Sequence, residues 1–304
     1  MQHTGLDLRA LYNKDDRSAS SITQRMEGVI MKESICKDNI PKSNTDHHVH
    51  RRILITGASR GIGAALAQGL WEDGHTVIAA ARSLTGLRNL PNDSRLIKVE
   101  LDVTSQTSID DLFLELTAHP LLTNDRPPVE VLINNAGVAD SAPLHRTSDE
   151  LWMRMMDVNL TGSFRLTRAV VPALRKATYG RIIFMASVAG LAGNRYTSAY
   201  CASKHGVIGM MRALALELAQ TQVTTNAICP GFVETDMAQL AIDAITQKTQ
   251  RTPEEARAEL EALNPQHRLI QTDELLHISR FLISEGARGV NGQALPVDGG
   301  QVQR

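Results

Sequence analysis

The run Ile53-Leu54-Ile55-Thr56-Gly57-Ala58-Ser59-Arg60-Gly61-Ile62-Gly63 decides the fold, together with the Ala64, Leu66, Ala67 and Leu70 that follow it. Its first four residues read as a buried strand, and the apolar spacing after Gly63 reads as a helix packed by one face. Three glycines separate the two. Glycine is what a chain needs where it must turn tightly and let backbone amides approach an anion. A helix opening there adds the positive end of its dipole. The stretch therefore predicts a strand, a phosphate-cradling loop and a helix. The spacing, Thr-Gly-x-x-x-Gly-x-Gly, differs from the commoner G-x-G-x-x-G.

Reading outward, the same alternation continues to the end of the chain. Strands are expected at Ile53–Thr56, Thr76–Ala80, Leu96–Val99, Val131–Asn134, Arg181–Met185, Thr224–Ile228 and Ala294–Val297. Helical patterns begin near Gly63, Thr107, Asp149, Ser198, Thr235 and Thr272. Strands alternating with helices, without a break in composition, predict one α/β domain: a Rossmann-type, doubly wound sheet of seven parallel strands with helices on both faces. Ligands of such sheets bind at the carboxyl ends of the strands. The domain is expected over residues 51–304. Residues 1–50 mix charges without an apolar period and are expected to be a disordered extension. The Asp46-His47-His48-Val49-His50 run within it is assigned no role.

Composition narrows the function classes. The 304 residues are 42% hydrophobic, and 32 Lys and Arg face 33 Asp and Glu for a net charge of −1. No global field favours nucleic acid or an anionic membrane. No apolar run approaches the roughly 20 residues a membrane span needs. Cys36, Cys201 and Cys229 are widely spaced and form no CxxC pair, so neither a metal site nor a disulfide framework is expected. A cytoplasmic location is expected.

The chemistry-bearing residues lie downstream. Tyr200 and Lys204 stand one helical turn apart and share a face. An ammonium beside a phenol favours the phenolate, so Lys204 is expected to bring the Tyr200 hydroxyl down from about 10 toward a useful acid–base range. Ser187 lies just past the fifth strand, thirteen residues before Tyr200. Nicotinamide cofactors with a free ribose 2′-hydroxyl usually meet an acidic residue at the end of the second strand. Here that stretch is Ala79-Ala80-Ala81-Arg82-Ser83. Arg82 and Arg60 offer planar forks suited to a 2′-phosphate, so NADP(H) is the cofactor expected.

These motifs resemble the short-chain dehydrogenase/reductase family over roughly Arg51 to Gly300, in the family's order. They comprise the glycine loop, Asp102-Val103 after strand three, Asn134-Asn135-Ala136-Gly137 closing strand four, Asn159, Ser187, Tyr200 with Lys204, and Cys229-Pro230-Gly231 after strand six. The resemblance implies a catalytic tetrad of Asn159, Ser187, Tyr200 and Lys204. Serine would hold the substrate carbonyl, tyrosine would give the proton, and lysine would tune the tyrosine and hold ribose hydroxyls. Asn159 would kink its helix and hold a water linking Lys204 to solvent. Implied cofactor contacts are Gly57, Ser59, Arg60, Gly61, Ile62, Gly63, Arg82, Asp102 at the adenine, Val103, Asn135, Ala136, Gly137, Tyr200, Lys204, Pro230, Gly231, Val233 and Thr235. No metal is implied. Residues 236–265 correspond to the family's substrate lid, where Met237, Leu240, Ile242 and Ile245 either line a pocket or simply pack. Cys201 and Cys229 read as packing residues. A homotetramer is implied, with the helix after Asp149 and the tyrosine helix meeting their symmetry mates through Ala199, Ala202, Ala213 and Ala215.

The resemblance is nearest to reductases of 3-oxoacyl thioesters, carried on coenzyme A or an acyl-carrier protein, and to 3-hydroxyacyl-CoA dehydrogenases. Carrier-protein-dependent members present basic residues where this chain has Thr178 and Thr221. That difference tilts the expectation toward a CoA thioester or a free ketone, although Arg175 and Lys176 stand close by. Two alternatives stay open: a dehydrogenase of a steroid, sugar or other small alcohol, and a non-catalytic NADP-binding regulator. The second would be marked by a missing tetrad residue, and none is missing.

Overall fold

The computed structural model describes residues 49–303. Seven parallel strands form one sheet in the order β3-β2-β1-β4-β5-β6-β7. They are β1 Arg52–Thr56, β2 Thr76–Ala81, β3 Leu96–Glu100, β4 Val131–Asn134, β5 Gly180–Met185, β6 Val223–Pro230 and β7 Ala294–Val297. All seven expected strands are present, with the ends of β6 extended. The order reverses between β1 and β4, which opens the crevice where doubly wound sheets take ligands.

Helices cover both faces. They are α1 Gly61–Glu72, α2 Gln106–Ala118, α3 Asp149–Met155, α4 Gly162–Leu174, α5 Ser198–Glu217, α6 Asp236–Thr249, α7 Pro253–Glu261 and α8 Thr272–Ile283. On one face, Leu54, Ile78, Leu132, Ile182 and Phe184 pack against Leu112, Leu166, Val170, Val207 and Met211. On the other, Ile53, Ile55, Val77, Ile133 and Ile183 meet Leu66, Leu70, Leu275 and Leu282. Strand side chains alternate between the faces, so each strand must be apolar throughout, as its sequence is. Helix α1 approaches α8 closely because Gly69 carries no side chain: a Cβ there would lie 2.2 Å from Leu276 Cδ2.

Two local departures bear on the site. The helix after Asp149 is interrupted by a π-helical turn, Met156–Thr161, with Asn159 inside it. The segment expected to be a substrate lid holds two helices, α6 and α7, separated by Gln250 at φ 57°. Helix α7 begins with Thr252 and Glu255 capping one another and Pro253 in its first turn, a strong start signal. Ile242 is buried with Ala238, Ala256, Leu260 and Leu269, and Ile245 packs against them. Of the four residues considered as pocket lining, then, Ile242 and Ile245 pack α6 against α7, while Met237 and Leu240 are exposed. No helix among the described residues is long and apolar enough to cross a membrane.

The reading of residues 1–50 as an extension falls outside the described residues except at its last two positions. His50 belongs with the domain. Its ring nitrogen bonds Thr76 Oγ1 at 2.8 Å, and its carbonyl accepts from Arg126 at 2.8 Å.

Candidate active site

The glycine loop leaves β1 at Thr56 and is held from below. Thr56 Oγ1 accepts from the backbone N–H of Asn135 at 3.0 Å and of Ala136 at 2.9 Å. The Asn135 side-chain amide donates to the Thr56 carbonyl at 2.8 Å and the Gly57 carbonyl at 3.2 Å. Asn135, expected as a cofactor contact, thus spends its side chain tying β4 to the loop. Gly57 and Gly61 adopt φ of +68° and +54°, where a side chain is strained. A Cβ on Gly63 would sit 2.2 Å from the Gly57 carbonyl oxygen. The loop therefore closes onto the first turn of α1, whose N-cap, Arg60, makes no side-chain capping bond. The amides of that turn are the donors an anion would find.

The rim of this cradle comes from neighbouring strand ends. Ser59 rests against Gly86, just after β2, where a Cβ would lie 2.8 Å from Ser59 Cβ. Arg60 and Arg82 are exposed on this side, and neither side chain is ion-paired or hydrogen-bonded to any described residue. Asp102 accepts from the Thr104 N–H and hydroxyl at 2.9 and 2.7 Å, which holds its carboxyl below the usual range. Val103 is buried against Gly162, and Ile62 packs on the core beneath α1. Val233 bridges to Ile270, fixing the chain that leaves β6 after Pro230-Gly231. Thr235 stands at the start of α6, its hydroxyl donating to the Val233 carbonyl at 3.2 Å, and faces Gly61, where a Cβ would meet Thr235 Cγ2 at 3.3 Å. Helix α6 thus starts beside the glycine loop.

The four expected catalytic residues converge past the carboxyl ends of β4, β5 and β6. Asn159 is buried, with Oδ1 accepting from Val138 N–H at 2.8 Å and Nδ2 donating to the Val138 carbonyl and to Ser203 Oγ, each at 3.0 Å. Its own carbonyl accepts from Ser163 Oγ at 2.9 Å. Lys204 is buried and donates to the Met185 carbonyl at 2.8 Å. A Cβ on Gly137 would lie 3.3 Å from Asn159 Oδ1 and 3.6 Å from Lys204 Nζ, so the glycine keeps the space between them clear. Ser187 Oγ accepts from Ala189 N–H at 3.1 Å and hydrogen-bonds with Tyr200.

Protonation corrects one expectation. Lys204 Nζ lies 5.8 Å from the centre of the Tyr200 ring, turned toward Met185. Burial raises the Tyr200 hydroxyl, and the Ser187 hydrogen bond opposes that shift without reversing it. The sign is opposite to that read from the spacing, because desolvation of the anion outweighs an ammonium held on a carbonyl. Burial also lowers Lys204 to about 8. Cys229, read as packing, is fully buried beneath Ser187 and Lys204, and burial pushes its thiol up to about 11. Cys201 Sγ sits on Thr197 Oγ1 at 3.3 Å.

Thr178 and Thr221 stand just before β5 and β6, at the opposite end of the sheet from Ser187 and Tyr200. Arg175 nearby is 3.7 Å from Glu217. Of the alanines considered for subunit contact, Ala199 and Ala215 are buried within the chain and Ala213 is exposed.

Similarity to known proteins agrees with this geometry. The 3-oxoacyl-acyl-carrier-protein reductase MabA of Mycobacterium tuberculosis is 36% identical over 252 residues, 83% of this chain and 93% of its own length. The 3-oxoacyl-acyl-carrier-protein reductase FabG of Pseudomonas aeruginosa is 36% identical over 255 residues, 81% of this chain and 95% of its own. Among solved structures, a phenylalanine-to-tryptophan variant of actinorhodin polyketide ketoreductase with NADPH superposes with a TM-score of 0.76 at 35% identity, covering 84% of this chain and 98% of that one. The family model described as short chain dehydrogenase matches residues 51–246. With the glycine cradle and the Asn159, Ser187, Tyr200 and Lys204 cluster in place, the chain belongs to the short chain dehydrogenase family of oxidoreductases.

Proposed function

We propose that this protein is an NADPH-dependent reductase that converts a 3-oxoacyl thioester to the 3-hydroxyacyl thioester. The observation that carries the reaction type is the convergence of Ser187, Tyr200, Lys204 and Asn159 beside a glycine cradle with unengaged arginines. The substrate class rests on likeness to MabA and FabG, whose names state that activity. The residues fit NADP(H): the α1 amides and Gly57, Gly61 and Gly63 would hold the pyrophosphate. Arg60 and Arg82 would hold the 2′-phosphate, Asp102 and Val103 the adenine side, and Pro230, Gly231, Val233 and Thr235 the nicotinamide side. When bound, the cofactor supplies the hydride that reaches the carbonyl carbon.

The chain's own groups supply the proton and the orientation. Tyr200 is kept protonated by burial, so at neutral pH its hydroxyl is a donor, ready to give its proton to the carbonyl oxygen as that oxygen gains charge. Ser187 hydrogen-bonds with Tyr200 and stands where it can donate to the same oxygen. Lys204 stands one turn away to place a positive charge behind the emptied phenolate. Asn159, with both amide hydrogens and its oxygen engaged, fixes the loop at Val138. The enzyme works in the cytoplasm as a homotetramer. Exposed Trp152, Met153 and Phe164 on α3 and α4, and Leu216 on α5, support helix-to-helix subunit contacts.

The test is acetoacetyl-CoA with NADPH, using wild-type protein and Tyr200→Phe. Turnover by the wild type should fall about a thousandfold or more in the variant, with NADPH affinity unchanged. Retained activity in Tyr200→Phe would remove the proton-donor role. Reduction of simple ketones but not thioesters would leave the mechanism and overturn the substrate class.

A further inference from the structure

Two loops frame the catalytic side chains. Residues 138–148 start at Val138, which bonds the Asn159 amide through both its N–H and its carbonyl. Residues 188–197 run from Ser187 to the helix that carries Tyr200. The Ala142 N–H donates to the Tyr196 carbonyl at 2.7 Å and staples the loops together. At that staple the backbone is strained: Tyr196 has φ 65°, in the left-handed region that bulky residues rarely occupy. The other two such residues among those described have local explanations. Gln250 ends α6, and His267 closes a turn with its N–H on the Asn264 carbonyl at 2.7 Å. Tyr196 also lies in a turn, between Asn194 and Thr197, and its side chain is 61% exposed.

The side chains around the staple share this unspent character. Leu144 is 69% exposed. Arg146, which ends the short turn Leu144–Arg146, and Arg195, next to Tyr196, are both exposed. Neither guanidinium makes an ion pair or hydrogen bond with any described residue. Other surface arginines divide. Arg168 meets Gln106, Arg268 Glu274 and Arg280 Asp73, whereas Arg88, Arg154, Arg212 and Arg288 are exposed and, like these two, make no ion pair or side-chain hydrogen bond with a described residue. It is position at the catalytic mouth that sets Arg146 and Arg195 apart. An exposed aromatic ring, an exposed leucine and two free arginine forks, fixed at the mouth of the catalytic cluster, suit a long polar chain that ends in phosphate.

We propose that Arg146 and Arg195 bind the phosphate of a 4′-phosphopantetheine arm, and that Tyr196 and Leu144 line the path of its pantetheine chain toward Ser187 and Tyr200. This rests on the thioester reading above. Coenzyme A and an acyl-carrier protein both present this arm. This site uses the carboxyl end of the sheet, opposite the Thr178 and Thr221 positions.

The experiment compares acetoacetyl-phosphopantetheine with acetoacetyl-pantetheine, which differ only in the phosphate, on wild type and on the double variant Arg146→Ala, Arg195→Ala. The variant should raise KM for the phosphorylated substrate about fivefold or more, with kcat and KM for acetoacetyl-pantetheine unchanged. Tyr196→Gly, free of backbone strain, should melt at the same or a higher temperature and raise KM for both substrates. Equal KM changes for the two substrates in the arginine variant, or none, would overturn the proposal. Acetoacetyl-CoA and an acetoacetyl-carrier protein then identify the source. A KM increase for either supports the site, and an increase for neither overturns it. If the wild type reduces no thioester at all, the functional reading fails instead, and that result is distinct from an active enzyme blind to the arginines.

Discussion

The two ends of the sheet use arginine in opposite ways. At the amino end, Arg52 and Arg181 are each 2% exposed and held by backbone carbonyls. Arg52 donates to those of Leu121, Leu122, Arg126 and Pro127, and Arg181 to those of Gly180, Gln222 and Ser284. Arg51 and Arg181 lie on the Tyr179 ring at 3.4 and 4.3 Å, and the Tyr179 hydroxyl donates to Ile283 at the end of α8. Burial pushes that hydroxyl up to about 12. Buried Glu130 joins the cluster through Arg126 and the Arg52 N–H. At the carboxyl end, Arg60, Arg82, Arg146 and Arg195 are exposed and have no such partners. A buried cation is tolerated only when it is paired or hydrogen-bonded, so the amino-end arginines belong to the fold. On the functional reading proposed above, the arginines left free at the ligand end serve recognition.

This contrast is easiest to break at the amino end. Arg52→Ala strips the partner from four carbonyls, so it should cost about 3 kcal/mol and lower Tm by roughly 10 °C. KM of the protein that remains folded should not move. A variant that melts like wild type, or that loses NADPH affinity, would show that the two ends are not separate. Thermal melts and steady-state kinetics decide it.

A smaller effect of opposite sign is expected at the carboxyl end. Lys204 sits at about 8 in the fold against 10.5 unfolded. Below pH 8 the native state carries a buried charge that costs stability. Between pH 8 and 10.5 the unfolded state binds the extra proton, so stability rises with pH across that window. Lys204→Met should therefore raise stability at pH 7 by on the order of 2 kcal/mol and flatten that rise, while removing turnover. Stability lost at pH 7, or a rise between pH 8 and 10.5 that persists, would show that Lys204 does not carry a burial penalty.

Much of this was legible beforehand, for physical reasons. Strands buried on both faces must be continuously apolar, so β1 to β7 could be read directly, and the tetrad is marked by spacings that survive any packing. What escaped depends on tertiary surroundings. The sign of the Tyr200 shift follows from burial and from where Lys204 points, neither of which is encoded in a four-residue spacing. That the Asn135 amide ties β4 to the Thr56 and Gly57 carbonyls is likewise not encoded in the local sequence. Cys229, expected to pack, does pack, with burial holding its thiol up, but nothing local says that β6 brings it beneath Ser187. The division between α6 and α7 had a signal, Thr252-Pro253-Glu254-Glu255, that marks a helix start. The amino-end cluster had one too: charged Arg51, Arg52 and Arg181 adjoin apolar strands where a solvated charge would be out of place.

If the free arginines at the carboxyl end await a phosphate, the most direct test is a fluorescence titration of NADPH and NADH on wild type and Arg82→Asp in one low-salt buffer. NADPH should bind wild type about tenfold tighter or more, and Arg82→Asp should erase or reverse that preference. Equal or tighter binding of NADH by the wild type would contradict that role for the arginines.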